Sequence, residues 1–143
     1  MSPQTTINVM KTAAALVVGF GVLALMGAHP ATAEPLRFLI DMLFWPVNGA
    51  EDLSASATRL VCAIGGGLMV GWGLMLWQVA TRLYPRDPEL ARTMILTSIG
   101  AWFIVDSAGS IAAGAPVNAV LNIGFLLAFA IPLWRPKRLA ETG

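Results

Sequence analysis

The chain has 143 residues, of which 57% are hydrophobic and only 12% are charged. An ordinary soluble domain carries about 25% charged residues, and one soluble domain of this length could not hide so much apolar surface from water. The formal net charge of +1 gives no support for nucleic acid or another polyanion as a partner. The composition therefore argues against a soluble enzyme and a disordered tail, and it predicts a membrane protein.

Four stretches of the sequence are about as long and apolar as a bilayer crossing requires, which is about 20 residues in a helix. These candidate spans cover residues 9–28, 60–81, 93–114 and 117–134. Their apolar runs are continuous and do not alternate at period two, which favours helices over strands. The sequence thus predicts an all-α polytopic membrane protein, in which residues 1–143 form a single membrane domain built as a four-transmembrane-helix bundle.

The first span has a second interpretation. Lys11, the apolar run that follows it, and the small residues Ala31 and Ala33 also match the pattern of a cleaved secretory signal. We expect the segment to be retained as a span, because such motifs discriminate loosely. Cleavage after Ala33 would leave three spans and would not change the orientation of the others.

Between the first two spans, residues 35–45 form an apolar segment that is too short to cross a bilayer. Pro35 and Pro46 bound it, and Arg37 and Asp41 are four residues apart, so they share one face of a helix. We expect a short outer interfacial helix that caps the bundle. The alternative is a lid over a cavity.

Basic residues predict the orientation of the spans, because Lys and Arg accumulate in cytoplasmic loops. Seven of the nine basic residues lie on the side shared by the amino terminus, the loop after the second span and the carboxy terminus. These seven are Lys11, Arg82, Arg86, Arg92, Arg135, Lys137 and Arg138, whereas Arg37 and Arg59 lie on the other side. Both termini are therefore predicted to be cytoplasmic.

Aromatic residues near the ends of the apolar segments are typical of interfacial anchors, since their rings prefer the headgroup level of a bilayer. The candidate anchors are Trp45, Trp77, Tyr84 and Trp134. Membrane lipids are the partners that such a distribution predicts.

The second span contains the glycine triplet 65–67, which is not a phosphate-binding loop because no Lys-Ser/Thr follows it and its flanks are apolar. Gly67 and Gly71 form a GxxxG pair, and small residues at this spacing let helix backbones approach closely in lipid. The pair is a candidate helix-packing site. Its partner is a helix of this chain or of another protein, and the motif does not distinguish the two.

Asp106 is the only charged residue between Thr93 and Trp134, and a carboxylate at the centre of a span costs about 2.5–3.5 kcal/mol on insertion scales. The turn at residues 114–116 makes the third and fourth spans an antiparallel hairpin. Counting from that turn at about 1.5 Å per residue places Asn122 at nearly the depth of Asp106. The predicted polar intramembrane seam consists of Asp106, Ser110, Asn118 and Asn122, with Ser107 nearby.

The seam has two interpretations. In the first, Asp106 is protonated or hydrogen-bonded and ties the hairpin together, and such bonds contribute near 0.6 kcal/mol on average. In the second, Asp106 binds a proton, a cation or a polar headgroup in a cavity that opens outward. Thr97 and Ser98 are the only polar groups deeper in the third span, so the sequence shows no complete proton path, and we favour a structural or ligand-contacting role over transport.

Cysteine and histidine offer little chemistry in this sequence. Cys62 and His29 are each the only residue of their kind, so the chain cannot form an internal disulfide or a di-histidine metal site. No nucleophile–base pair can be argued. We therefore expect no catalytic residues, no metal and no cofactor.

Several features occur in an order that resembles small four-span bacterial membrane proteins of the DoxX-like families and a related, uncharacterised family. These features are Arg59-Leu60 before Gly65-Gly66-Gly67 and Gly71-Trp72-Gly73, then Arg82 and Pro88-Glu89-Leu90 before the third span, and the turn Gly114-Ala115-Pro116. Members of that group often carry an arginine in the third span, where this chain has Asp106-Ser107. The resemblance implies the fold and a bacterial cytoplasmic (inner) membrane location, and it does not imply an activity.

Two functional hypotheses follow from these features. The first is a non-catalytic accessory or assembly subunit of a larger membrane complex, such as a respiratory or photosynthetic one, which has other membrane subunits or a second copy of the chain as partners. The second is a small transporter or a lipid- or quinone-binding membrane protein that uses the polar seam around Asp106. A membrane enzyme would need cofactor ligands or a base–nucleophile pair, which the sequence does not offer.

Overall fold

The structure is a computed structural model that describes residues 1–134, and within these residues it contains five helices and no strand. The helices are α1 (Pro3–Met26), α2 (Glu34–Leu43), α3 (Ser56–Gln78), α4 (Pro88–Ala112) and α5 (Pro116–Leu133). A 3-10 turn (Pro30–Thr32) precedes α2, and a π-helical turn (Val79–Leu83) continues α3. Arg135, Lys137 and Arg138, which contribute to the predicted orientation, lie outside the described residues.

The predicted all-α class is confirmed for the described part of the chain. Four helices are long and apolar enough to cross a membrane, namely α1, α3 with its π-helical turn, α4 and α5. Each overlaps one of the four candidate spans. The short helix α2 lies between the first two of them, where the sequence predicts an interfacial helix.

Three of the helices, α1, α3 and α4, begin several residues earlier than the apolar stretches suggest, and side-chain caps explain two of these starts. α1 begins at Pro3, where the Ser2 hydroxyl accepts a hydrogen bond from the backbone N–H of Thr5 at 3.1 Å. α4 begins at Pro88, where the Asp87 carboxylate accepts one from the Leu90 N–H at 2.9 Å. Hydropathy marks the residues that suit lipid, whereas caps and a proline in the first turn set the first residue of a helix.

Helices α1 and α3 run antiparallel and pack backbone to backbone. A Cβ atom placed on Gly66 would lie 2.7 Å from the carbonyl oxygen of Gly21, and one on Gly73 would lie 3.0 Å from the carbonyl oxygen of Ala14. Gly66 and Gly73 are seven residues apart and therefore share one face of α3. The absence of side chains at these two positions sets the close distance between the helices.

The predicted GxxxG pair lies on a different face of α3. A Cβ atom on Gly67 or Gly71 would meet no atom within 4 Å, and both glycines are exposed. Within residues 1–134, the pair therefore has no packing partner, and the alternative of a partner helix from this chain does not hold there. A partner from another protein stays a prediction.

Helices α4 and α5 form a second antiparallel pair. This pair contacts the first through α5 and α1, where the ring centroids of Phe20 and Phe125 are 5.4 Å apart. At the far end of this pair, the Arg92 Nε–H donates to the carbonyl oxygen of Leu133 at 2.8 Å. That bond satisfies a carbonyl at the carboxyl end of α5 that has no partner within the helix.

The buried core occupies one half of the molecule. We call this half the Tyr84 end, because Tyr84 lies there with the start of α1, the start of α4 and the end of α5. Its largest fully buried side chains are Met10, Leu76, Ile95, Ile99, Phe129 and Leu133. The opposite half, which we call the α2 end, contains a partly open cavity that all five helices line.

Candidate functional site

The polar residues predicted to form a seam lie together between α4 and α5. The Asp106 Oδ2 atom accepts hydrogen bonds from the side-chain amides of Asn118 at 3.0 Å and Asn122 at 2.6 Å. The Asn118 amide also donates to the Ser110 hydroxyl at 2.8 Å, and the Asn122 amide donates to the Ser107 hydroxyl at 3.1 Å. The structure thus brings together all four seam residues and Ser107.

The local structure explains this arrangement. Asp106 and Ser110 are four residues apart on α4, and Asn118 and Asn122 are four apart on α5, so each pair shares a helical face. Gly114 links the two helices with φ +84°, a conformation that glycine adopts at little cost. A tight turn of this kind fixes the register of the hairpin, which places both asparagines opposite the carboxylate.

A cavity of about 240 Å³ lies beside the seam at the α2 end. Its wall contains three polar side chains, those of Asp106, Asn118 and Asn122, and two tryptophans. The remaining lining residues are apolar. The sequence predicted the seam but not the extent of this partly open space, because the cavity depends on how the two helix pairs meet.

Aromatic side chains form one wall of the cavity. Trp72 and Trp102 have ring centroids 5.9 Å apart, and Trp102 and Phe125 have centroids 6.0 Å apart. Phe20 extends the same cluster from α1. Trp102 is one helical turn from Asp106, so the aromatic wall adjoins the polar seam on the side of the Tyr84 end.

Helix α2 covers the cavity with an apolar face. Leu36, Leu39 and Leu43 share that face and line the cavity, whereas Phe38 is 57% exposed on the other side of the helix. Three leucines of α2 thus form part of the cavity wall, and the place of α2 at the membrane interface stays a prediction.

The loop after α2 is held by Asp41, a contact that the sequence analysis missed. Asp41 is only 3% exposed, and its carboxylate accepts hydrogen bonds from the backbone N–H of Gly49 at 3.0 Å and of Asn48 at 3.4 Å. Gly49 has φ +72°, which favours glycine there. An aspartate near the end of a helix, followed by Asn-Gly in a loop, is the signal that indicates such a contact.

Arg37 pairs with Glu34 on the exposed side of α2 and not with Asp41. The Arg37 guanidinium donates to both carboxylate oxygens of Glu34, with the shortest distance 2.8 Å. This hydrogen bond, followed by the charge attraction, lowers the pKa of the Glu34 carboxyl below its ordinary value. The pair is exposed to solvent, so it marks the polar side of α2 and does not contact the cavity.

The four candidate anchors occupy different environments. Trp45 and Trp134 are 70% and 71% exposed, and Trp77 is 39% exposed with the Lys11 ammonium 5.0 Å from its ring. Tyr84 differs, because it is 6% exposed and packs into the core. The role of all four residues as interfacial anchors stays a prediction.

No metal-binding group is evident among residues 1–134, where no three His, Cys, Asp or Glu side chains are close enough to hold an ion together. Cys62 is half-buried near Gly27, and the exposed His29 ring accepts a hydrogen bond from the Ala31 N–H at 3.2 Å. Neither residue lines the cavity.

Comparison of the chain with protein-family models, with curated proteins and with solved structures finds no match. The resemblance to the DoxX-like families thus stays a prediction from the sequence.

Proposed function

We propose that the chain is a multi-pass protein of the bacterial cytoplasmic membrane, folded as a four-helix bundle with both termini in the cytoplasm. The support is the apolar surface that faces outward. In the most apolar 18-residue stretch of α4, only 11% is buried. Ile104 and Val105 on that helix are 69% and 72% exposed. Exposed apolar surface of this extent is unfavourable in water and suits lipid.

Within that membrane protein, the cavity is proposed to hold a small amphiphilic molecule. The observation that carries this proposal is the partly open, largely apolar space with polar groups at one side and α2 along another. An apolar cavity of about 150 Å³ holds a benzene molecule, so 240 Å³ accommodates an aromatic ring with a short polar tail. Binding sites for small molecules typically combine an apolar wall with a few convergent polar groups.

Filling the cavity tests this proposal. Ala24 lines the cavity on α1, whereas Ala15 on the same helix is exposed. We expect Ala24→Phe to abolish the binding of phenylpropanol, because the new ring occupies the space. Ala15→Phe is the matched control and should bind as the unaltered protein does. Isothermal titration calorimetry of the three proteins in lipid nanodiscs measures the difference, and equal heats from all three would contradict the proposal.

A second candidate function is that of a non-catalytic accessory subunit in a larger membrane complex. The observation that favours it is the exposed pair Gly67 and Gly71, which offers a close-packing surface to a helix outside this chain. Gly67→Leu should release a partner that co-purifies from native membranes in mild detergent. Gly109→Leu, at another open position, should retain it. Recovery of the unaltered protein only as a monomer would exclude this function.

A further inference from the structure

The cavity wall presents hydrogen-bond acceptors from its polar seam. Each side-chain amide of Asn118 and Asn122 donates two hydrogen bonds, one to Asp106 and one to a serine, so neither has a donor left. Among residues 1–134, the Asp106 Oδ1 atom and the two asparagine Oδ1 atoms have no hydrogen-bond partner. None of these oxygens is fully buried, since no fully buried side-chain polar atom among the described residues lacks a partner, and all three residues line the cavity.

The carboxylate of Asp106 also has no cationic partner in the described part of the chain. The ion pair found there joins Glu34 and Arg37, on the exposed side of α2. The two tryptophans on the wall carry indole N–H donors, but these are neutral and cannot offset a negative charge. A carboxylate in such surroundings is stabilised most by a positively charged ligand that also donates hydrogen bonds.

The aromatic wall has the same preference. The faces of Trp72, Trp102 and Phe125 carry negative electrostatic potential, and cations bind over such faces within about 6 Å. Trp102 and Asp106 are one turn apart on α4, so a cation between them would meet a ring and a carboxylate together. An apolar body attached to that cation would rest against the leucines of α2.

We propose that the cavity selects an organic ammonium ion, a protonated amine with a small apolar or aromatic body, through Asp106 and the tryptophans beside it. This inference rests on the proposed binding function and narrows its ligand class. Ca²⁺ fits poorly, because it takes about six to eight oxygen ligands and the seam offers three unpaired side-chain oxygens. A quinone fits less well, because it brings no positive charge to Asp106 and the amides of Asn118 and Asn122 have no donor left for its carbonyl oxygens.

A matched series of ligands tests the selection by head group. The four ligands share one aromatic body and differ in the head group. Phenylpropylamine is a cationic donor, phenylpropanol a neutral donor, benzylacetone a neutral acceptor and phenylpropionate an anion. Calorimetry with the full chain in neutral-lipid nanodiscs should give the amine the tightest Kd, about tenfold or more below that of the ketone. The anion should bind weakest, because its charge repels Asp106.

Two substitutions connect that preference to the named residues. Asp106→Asn removes the charge and keeps the shape, so it should weaken amine binding about tenfold or more and change phenylpropanol binding little. Glu51→Gln removes a carboxylate that does not line the cavity and is the control for net charge. Trp102→Leu should weaken the amine more than the alcohol, because it removes a cation–π contact.

The outcomes separate this inference from the function it rests on. Binding of the ketone or the anion as tight as that of the amine, or amine binding unchanged in Asp106→Asn, would overturn the ammonium selection. Phenylpropanol binding that Ala24→Phe blocks would then still support a ligand cavity. Failure of all four ligands to bind would overturn both.

Discussion

At the scale of single residues, Asp106 shows how a charged group is accommodated between apolar helices. Its Oδ2 atom receives two amide hydrogen bonds, and each amide is in turn oriented by a serine. A polar network between helices stabilises only when its members are satisfied, because an unpaired polar group costs more than a made bond contributes. The asparagines are therefore expected to be as important for folding as the aspartate.

Asn122→Leu tests this dependence. Asn122 is 4% exposed, and the substitution removes its bonds to Asp106 and Ser107. We expect a loss of about 1–3 kcal/mol in the free energy of unfolding, measured by denaturant titration in detergent. The double variant Asp106→Leu with Asn122→Leu should be less destabilised than the sum of the single variants, since no unpaired carboxylate remains. Strictly additive effects would show that the two side chains do not interact.

At the scale of helices, glycine position decides which faces meet. Gly66 and Gly73 face α1 with backbone atoms at contact distance, whereas Gly67 and Gly71 face away from every described helix. One residue along a helix rotates the side-chain direction by about 100°, so adjacent glycines in the triplet have different roles. The sequence pattern alone identifies a stripe of small residues but not the one that packs.

Substitution of adjacent glycines by alanine separates these roles. Gly66→Ala would place a methyl group 2.7 Å from the Gly21 carbonyl oxygen and the Leu25 nitrogen, which forces α1 and α3 apart. We expect a loss of about 1–3 kcal/mol in stability, typical of overpacking against backbone. Gly67→Ala meets open space and should be neutral or slightly stabilising, because alanine favours helix. Thermal unfolding of both variants in the same detergent compares them directly, and equal melting temperatures would contradict the packing.

At the scale of the whole molecule, the two ends differ in packing. The Tyr84 end contains the buried core, and the α2 end contains the partly open cavity beside a short amphipathic helix. Rigid packing at one end holds the helices that line the space at the other. The site is therefore expected to be preformed. In the proposed orientation, α2 is the helix of the site nearest to the outer side of the membrane.

Labelling of single cysteines tests the proposed orientation of the two ends. Each variant carries Cys62→Ala and one new cysteine. Two variants, Glu51→Cys and Ala113→Cys, place it at the α2 end, and two others, Gln4→Cys and Arg86→Cys, place it at the Tyr84 end. With the Tyr84 end cytoplasmic, an impermeant maleimide should label the first two positions in spheroplasts and the other two only after lysis. The reverse pattern would show that the basic residues do not set the orientation here.

The sequence by itself determined the features that depend on local spacing. These are the all-α class, the four apolar helices and the seam at Asp106, since a tight turn fixes the register of a hairpin. Tertiary structure alone decided which glycines pack, that Tyr84 is buried, and that α2 covers a cavity. The physical reason is that these contacts depend on the rotation and tilt of one helix against another, which many distant side chains set together.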